Sequence, residues 1–252
     1  MNSPIERLKE ARFLGVIVDE KLNWSAHIGT VKTKMARYIG VMYRIKHFLP
    51  VRARIQIFHS FVQSHINYCC LVWGFSCKSN IDKLFIAQKK GIRAVAEGFI
   101  NYFYRDGETP GHTKPVFTKH KILTIQNIIF LNALLFIEKI KNFPLKIPES
   151  VRSIISDSAP DLESTYDSCS DWLAQYNTAI YRSSVQFKGP LISRIEPYSN
   201  IIAEHRAFSI ATIKNRLKIE LLKTQSAGDL NEWGPDNFTL NNIPGLRKSN
   251  RI

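Results

Sequence analysis

His65, Cys69, Cys70 and Cys77 fall within thirteen residues, and thiolate with imidazole is the ligand chemistry that zinc prefers. Their spacing matches no paired-ligand pattern, and Cys69 and Cys70 stand inside the apolar run INYCCLVWGF, where free cysteine behaves as a small core residue. Asp167 and Asp171, four residues apart, would share one helix face and offer a hard cation two carboxylates. They lie in a serine-rich acidic stretch with no apolar face to position them, so a solvated acidic segment is the simpler reading. The chain contains no GxxxxGK(S/T) loop, no GxGxxG, no HExxH, no CxxC and no Asp-Asp pair, which disfavours the enzyme classes built on those motifs. Its other histidines have no serine or cysteine partner in a nucleophile motif.

The residues with a pattern are the cations. The 252 residues carry 35 Lys and Arg against 21 Asp and Glu, a net charge of +14, which favours a polyanionic partner. Between Lys21 and Ile81 there is no acidic residue, while Lys21, Lys32, Lys34, Arg37, Arg44, Lys46, Arg52, Arg54 and Lys78 are all basic. The first 120 residues hold 19 basic and 8 acidic side chains, and the remainder 16 and 13. A polyanion site therefore belongs to the first half. Trp24, Tyr38, Tyr43, Phe48, Tyr68 and Trp73 interleave with these cations; such rings either stack on bases or form the core of the helices that carry them.

The elements that must position this charge follow from periodicity. FLGVIVD at 13–19 reads as a short strand whose glycine admits a neighbouring backbone or ligand. Asn23 or Ser25 then caps a helix with Ile28, Val31, Met35, Tyr38, Met42 and Ile45 on one stripe and Lys34, Arg37 and Arg44 on the other side. Pro50 stops it. A second helix runs from Val51 to about His65 with Ile55, Phe58, Val62 and Ile66 inside, and Arg52 and Arg54 in its first turn, where positive charge opposes the helix dipole. INYCCLVWGF reads as a buried extended connection or a short turn of helix. Ser79 or Asn80 caps a third helix with Ile81, Leu84, Phe85, Ile92 and Val95 inside and Lys83, Lys89, Lys90 and Arg93 outside.

The fold class expected is mainly α: a short N-terminal strand or hairpin over 1–24, a basic three-helix bundle over 25–100, a loop over 101–120 and a long helix over 121–148. An acidic serine-rich linker over 149–175 and a partly disordered C-terminal segment over 176–252, with a helix near 207–225, complete it. Four cysteines, two of them adjacent, make no disulfide framework. The charged N-terminus MNSPIERLKEARF is no signal peptide, and IIFLNALLFI is too short to span a bilayer. The expected location is intracellular, nucleus or cytoplasm, without secretion or membrane association.

The order ARFLGVIVDEKLNWSAHI, VKTKMARYIGVMYRIKHFLP, INYCCLVWG and IDKLFIAQKKGIRAV, followed by YNTAIYRSSVQFKGPLI and IKNRLKIELL, resembles the region after the catalytic palm in reverse transcriptases of non-LTR retrotransposons, jockey-like elements in particular. The resemblance implies that Phe13, Leu14 and Gly15 belong to a primer-grip-like turn and that the helices from Ser25 to Gly98 form a thumb on an RNA–DNA hybrid. Its phosphate contacts would be Lys32, Lys34, Arg37, Arg44, Lys46, Arg52, Arg54, Lys89, Lys90 and Arg93. The family's two-metal centre needs paired aspartates, and none occur here. The expectation is a polymerase fragment inactive alone, with no cofactor of its own, Mg²⁺ belonging to an absent palm that is itself a potential partner. A basic helical protein binding an acidic protein is the alternative.

Overall fold

A computed structural model describes residues 7–96, 113–142, 148–149, 197–205 and 209–227. The chain divides into two compact units: Met1–Cys69 with Ser76–Thr113, and Cys70–Phe75 with Lys114–Ile252. Among the described residues the architecture is mainly helical, with one two-stranded antiparallel hairpin. Of the expected linker over 149–175 all but Glu149, and most of the expected C-terminal segment over 176–252, lie outside the described residues.

The first unit begins with β1 (Glu10–Phe13) paired to β2 (Val16–Asp19), in the register Glu10 to Asp19 and Phe13 to Val16. FLGVIVD is therefore not one strand. Leu14 and Gly15, at φ of 46° and 83°, make the two-residue hairpin turn, whose primed geometry requires φ > 0 at both positions. Glycine supplies this freely, whereas leucine there is strained. The tyrosine hydroxyl of Tyr68 donates to the Leu14 carbonyl, bracing the turn from below.

α1 (Ser25–Ile45) follows. Neither Asn23 nor Ser25 caps it: the cap position is Trp24, in the left-handed region, with no side-chain cap bond. The cap is remote. The Asp19 carboxylate accepts the backbone N–H groups of Lys21 (3.1 Å), Asn23 (3.0 Å) and Trp24 (2.7 Å), so the last residue of the hairpin organises the turn into the helix. Burial alone would raise the Asp19 pKa, but these backbone N–H donors outweigh it and hold the carboxyl below its usual 3.8. The α1 core stripe is Ile28, Val31, Met35, Ile39 and Met42, all buried, with Tyr38 and Ile45 only half-buried at its border.

α1 ends at Ile45, five residues before Pro50, which instead precedes α2 (Val51–Ile57) as its N-cap. α2 continues without interruption into a π-helical segment, Phe58–Gln63, and then α3 (Ser64–Asn67). Phe58, Val62 and Ile66 are buried, and so is Arg54, which falls on the same i, i+4 series. α5 (Lys78–Val95) buries Ile81, Leu84, Phe85, Ile92 and Val95 against α1 and the π segment. The predicted caps Ser79 and Asn80 lie inside its first turn. Asn80, buried, donates to the Asn23 carbonyl (3.0 Å) and the Ser25 hydroxyl (3.2 Å), tying the start of α5 to the start of α1. Gly91 sits where the helices approach most closely: a Cβ there would lie 2.9 Å from the Phe58 ring and 3.4 Å from Ile39.

The second unit takes α4 (Cys70–Trp73) out of the INYCCLVWGF stretch, so that run is a short turn of helix, entered through Cys69 at φ 50°. Gly74 lies against Ile129 of α7, where a Cβ would come within 2.9 Å of that side chain. α6 (Lys114–Lys119) occupies part of the stretch over 101–120 expected to be loop; Pro115 is tolerated there because it falls in the first turn. α7 (Ile125–Asn142) starts at Thr124, whose hydroxyl accepts from Asn127 N–H (3.4 Å). α8 (Tyr198–His205) and α9 (Ile210–Ala227) pack with it, the Phe130 and Tyr198 rings meeting edge to face at 5.0 Å. Buried Gln225 of α9 is satisfied at both ends, accepting from Thr124 N–H (3.1 Å) and the Asn127 amide (2.9 Å) and donating to the Ile122 carbonyl (3.0 Å).

Two substitutions test this account. Asp19→Ala is expected to cost about 1–2 kcal/mol in a chemical-denaturation series, and Asp19→Asn less, since one acceptor oxygen remains; equal, negligible losses would contradict the remote cap. Gly91→Ala should destabilise by roughly 1–3 kcal/mol through overpacking against Phe58, despite about 1 kcal/mol of gained helix propensity.

Candidate nucleic-acid interface

The candidate site lies on the first unit, because the acid-free stretch from Lys21 to Ile81 supplies α1 and α2 through α3. With no carboxylate on these elements, their cations have few intramolecular ion pairs to make. At about 100° per residue, Arg37 and Arg44 project from α1 roughly opposite its core stripe, about 10 Å apart along the axis, and Lys32 lies to one side, nearer that stripe. Between them run Gly29, Thr33, Ala36 and Gly40, all exposed, and a Cβ at Gly29 or Gly40 would meet nothing within 4 Å. The outer face of α1 is thus open and bordered by positive charge.

At the far end of α1, the Tyr43 hydroxyl donates to the Lys90 carbonyl of α5 (3.2 Å) and the Lys46 ammonium stands 5.1 Å over the Tyr43 ring. This tyrosine ties the end of α1 to the backbone of α5 and carries the Lys46 ammonium over its ring. On α5 itself Lys89 lies over the Phe85 ring at 4.2 Å. Arg52 is exposed at the start of α2, and Arg93 is half-buried.

The structure separates the ten predicted phosphate contacts. Lys32, Arg37, Arg44, Arg52 and Lys90 are exposed; Lys34, Lys46, Lys89 and Arg93 are half-buried. Arg54 is a correction: it is 2% exposed and lies inside the bundle, so it is not available to an external phosphate. Its register with Phe58, Val62 and Ile66 was readable in the sequence as a four-residue period, and that periodicity outweighs its charge. Phe13 and Leu14, at 69% and 75% exposure, form an apolar hairpin tip with Gly15 between them and β2.

Two histidines respond to the same cation. His27 is buried and its Nδ1 accepts the Ile17 N–H (3.3 Å), joining β2 to α1; burial first, and then the Lys34 ammonium, lower its pKa below 6.5. His65 of α3 is lowered for the same two reasons. It stacks on Tyr38 at 5.5 Å and 24°, and Tyr38 in turn meets Phe61 at 5.1 Å. Phe61, in the π segment and 46% exposed, has no signal in the sequence: it lies beside the buried four-residue series, and its ring partner Tyr38 comes from another helix.

Among the described residues no group of three or more His, Cys, Asp or Glu side chains could hold a metal ion, and no helix is long and apolar enough to cross a membrane.

Part of the chain is similar to retrotransposon polymerases of Drosophila melanogaster. Over 95 residues, 36% of this chain and 10% of the relative, it is 24% identical to a probable RNA-directed DNA polymerase from transposon X-element. Over 89 residues, 34% of this chain and 10% of the relative, it is 28% identical to the RNA-directed DNA polymerase from mobile element jockey. The matched stretch thus spans about a tenth of the length of these curated relatives. No family model matches the chain, and no solved structure matches it.

Because the folded-state pKa values of His27 and His65 are depressed, the unfolded chain binds more protons just below pH 6.5. Their stability contribution is complete above that value and is lost as pH falls through the folded pKa values. Lys34→Gln should move both imidazole titrations, followed by NMR, upward toward 6.5 and make the acid-side loss of stability shallower. Unmoved titrations would exclude Lys34 as a cause.

Proposed function

We propose that the first unit is a thumb-like nucleic-acid-binding module of a non-LTR, jockey-like reverse transcriptase, which grips a primer–template RNA–DNA hybrid and has no polymerase centre of its own. The observation that carries this reading is the uninterrupted absence of carboxylates from Lys21 to Ile81, combined with exposed cations along the outer face of α1 and at Lys90 of α5, two helices that Tyr43 ties together. The partial similarity to RNA-directed DNA polymerases supports it.

In this reading Lys32, Arg37, Arg44, Arg52 and Lys90 contact phosphates directly, and the half-buried Lys34, Lys46, Lys89 and Arg93 add to the field behind them. Such contacts place a duplex without reading its sequence. The open strip of α1 between Lys32 and the pair Arg37 and Arg44 leaves room for a sugar–phosphate backbone. Phe13, Leu14 and Gly15 act as the primer-grip-like turn: the tip projects from the hairpin, braced by Tyr68, and its exposed apolar side chains suit either the primer terminus or the palm that a complete polymerase supplies. Mg²⁺ belongs to that palm.

Binding of the full chain to a labelled RNA–DNA hybrid across a salt series tests the proposal. Five phosphate contacts predict a log–log slope of roughly −4.5, at about −0.9 per contact. The triple variant Lys32→Gln, Arg37→Gln, Arg44→Gln should lower its magnitude by about 3. A slope near zero, or equal displacement by an acidic protein at the same charge concentration, would favour an acidic-protein partner instead.

A further inference from the structure

The ring cluster on the flank between α1 and the π segment is not part of the duplex-gripping face. Tyr38 lies between Phe61 and His65, with ring centroids 5.1 and 5.5 Å away and interplanar angles of 30° and 24°. His65 stacks on Tyr38 and Phe61 leans on it at a tilt; Tyr38 and His65 are half-buried and Phe61 is 46% exposed, so the cluster offers an apolar ledge at the surface, where exposed apolar area is unfavourable in water. Phe61 belongs to the only π-helical segment among the described residues, and His65 follows directly after it in α3; that local geometry often accompanies functional sites. Val41, exposed and one turn beyond Tyr38, extends the apolar surface. Lys34, one turn before Tyr38, and Arg37, one turn before Val41, border it with positive charge.

We propose that Tyr38, Phe61 and His65 form a stacking site for an unpaired base of single-stranded nucleic acid, with Lys34 and Arg37 holding its flanking phosphates. This rests on the nucleic-acid reading above and names a second subsite within it. Charge complementarity selects the occupant: α1, α2, the π segment and α3 carry no carboxylate, so the ligand combines negative charge with a flat apolar face. A base inside a duplex has both faces covered by its neighbours, whereas an unpaired base has a face to give. Burial, and then the Lys34 ammonium, hold His65 below the usual imidazole range, which leaves the ring uncharged at neutral pH and able to stack.

The test uses the full chain and two probes: a single-stranded oligonucleotide containing one 2-aminopurine, and a blunt RNA–DNA hybrid without unpaired bases. Stacking predicts that the 2-aminopurine fluorescence is quenched on binding to the unsubstituted chain, a readout that depends on no variant. Phe61→Leu and Tyr38→Leu, which keep apolar bulk, should abolish the quench and weaken single-strand binding at least about fivefold, while blunt-hybrid affinity stays unchanged. Absence of the quench, or single-strand affinity unaltered in both folded variants, overturns the stacking site whatever the hybrid does. A quench that is present and lost in the variants, with no salt-dependent hybrid binding, upholds the stacking site and rejects the duplex grip.

Discussion

The Asp19 carboxylate is the acceptor on which the geometry of the first unit turns. It receives three backbone N–H groups from the five residues after it, and these are the donors of the tight turn that carries the chain from β2 into α1. The side chain that satisfies them is the last hairpin residue, so strand direction and helix direction are set by one group. Everything basic follows downstream of it. Asp19 is also one of the last two carboxylates before the acid-free stretch, and it is bound to backbone donors rather than to the cations that come after it.

From that turn the bundle is assembled by packing rather than by charge. α1 and α5 are joined at one end by Asn80 and at the other by Tyr43, so they run side by side in the same direction with Ile28, Met35, Leu84 and Ile92 between them. Gly91 lets the π segment close on this pair. The cations have little choice but the outside, and where a cation falls on the buried period, as Arg54 does, the period prevails. The surface charge is thus the remainder after the core has been filled, and its alignment along α1 is a consequence of helical geometry.

The second unit has a different organising element. Gln225 replaces an external cap by reaching the residues that precede and open α7, with its carbonyl and amide both bonded in a buried setting. A buried amide with all these partners satisfied fixes register between α7 and α9, because shifting either helix would orphan groups that water cannot reach. The apolar contacts around Phe130 and Tyr198 tolerate more displacement. Polar satisfaction therefore specifies how these helices align, and apolar burial supplies the driving force.

Several features were legible in the residues alone. The helical class, most of the buried series of α1, α2 through α3 and α5, and the location of the acid-free basic stretch follow from periods of three and four and from the distribution of charge, which are local properties; Tyr38, Ile45 and Ile55 are only half-buried, and Ile39 and Arg54 fill the core beside them. The N-terminal region reads as a strand or hairpin and is a hairpin; the run FLGVIVD itself reads as one strand, because the two-residue turn at Leu14–Gly15 interrupts the apolar run without changing its composition. The caps at Asn23, Ser25, Ser79 and Asn80 were misassigned for a related reason. Asp19 reaches the donors from outside the helix, and Asn80 turns its amide to a partner more than fifty residues away. The π segment is equally silent, since no residue type encodes the wider turn, yet it carries Phe61, which meets Tyr38 of α1. What the sequence by itself determined was which residues face the core and where the charge accumulates. Only the tertiary structure decided which of the charged and aromatic side chains stand together, because their neighbours come from elements distant along the chain.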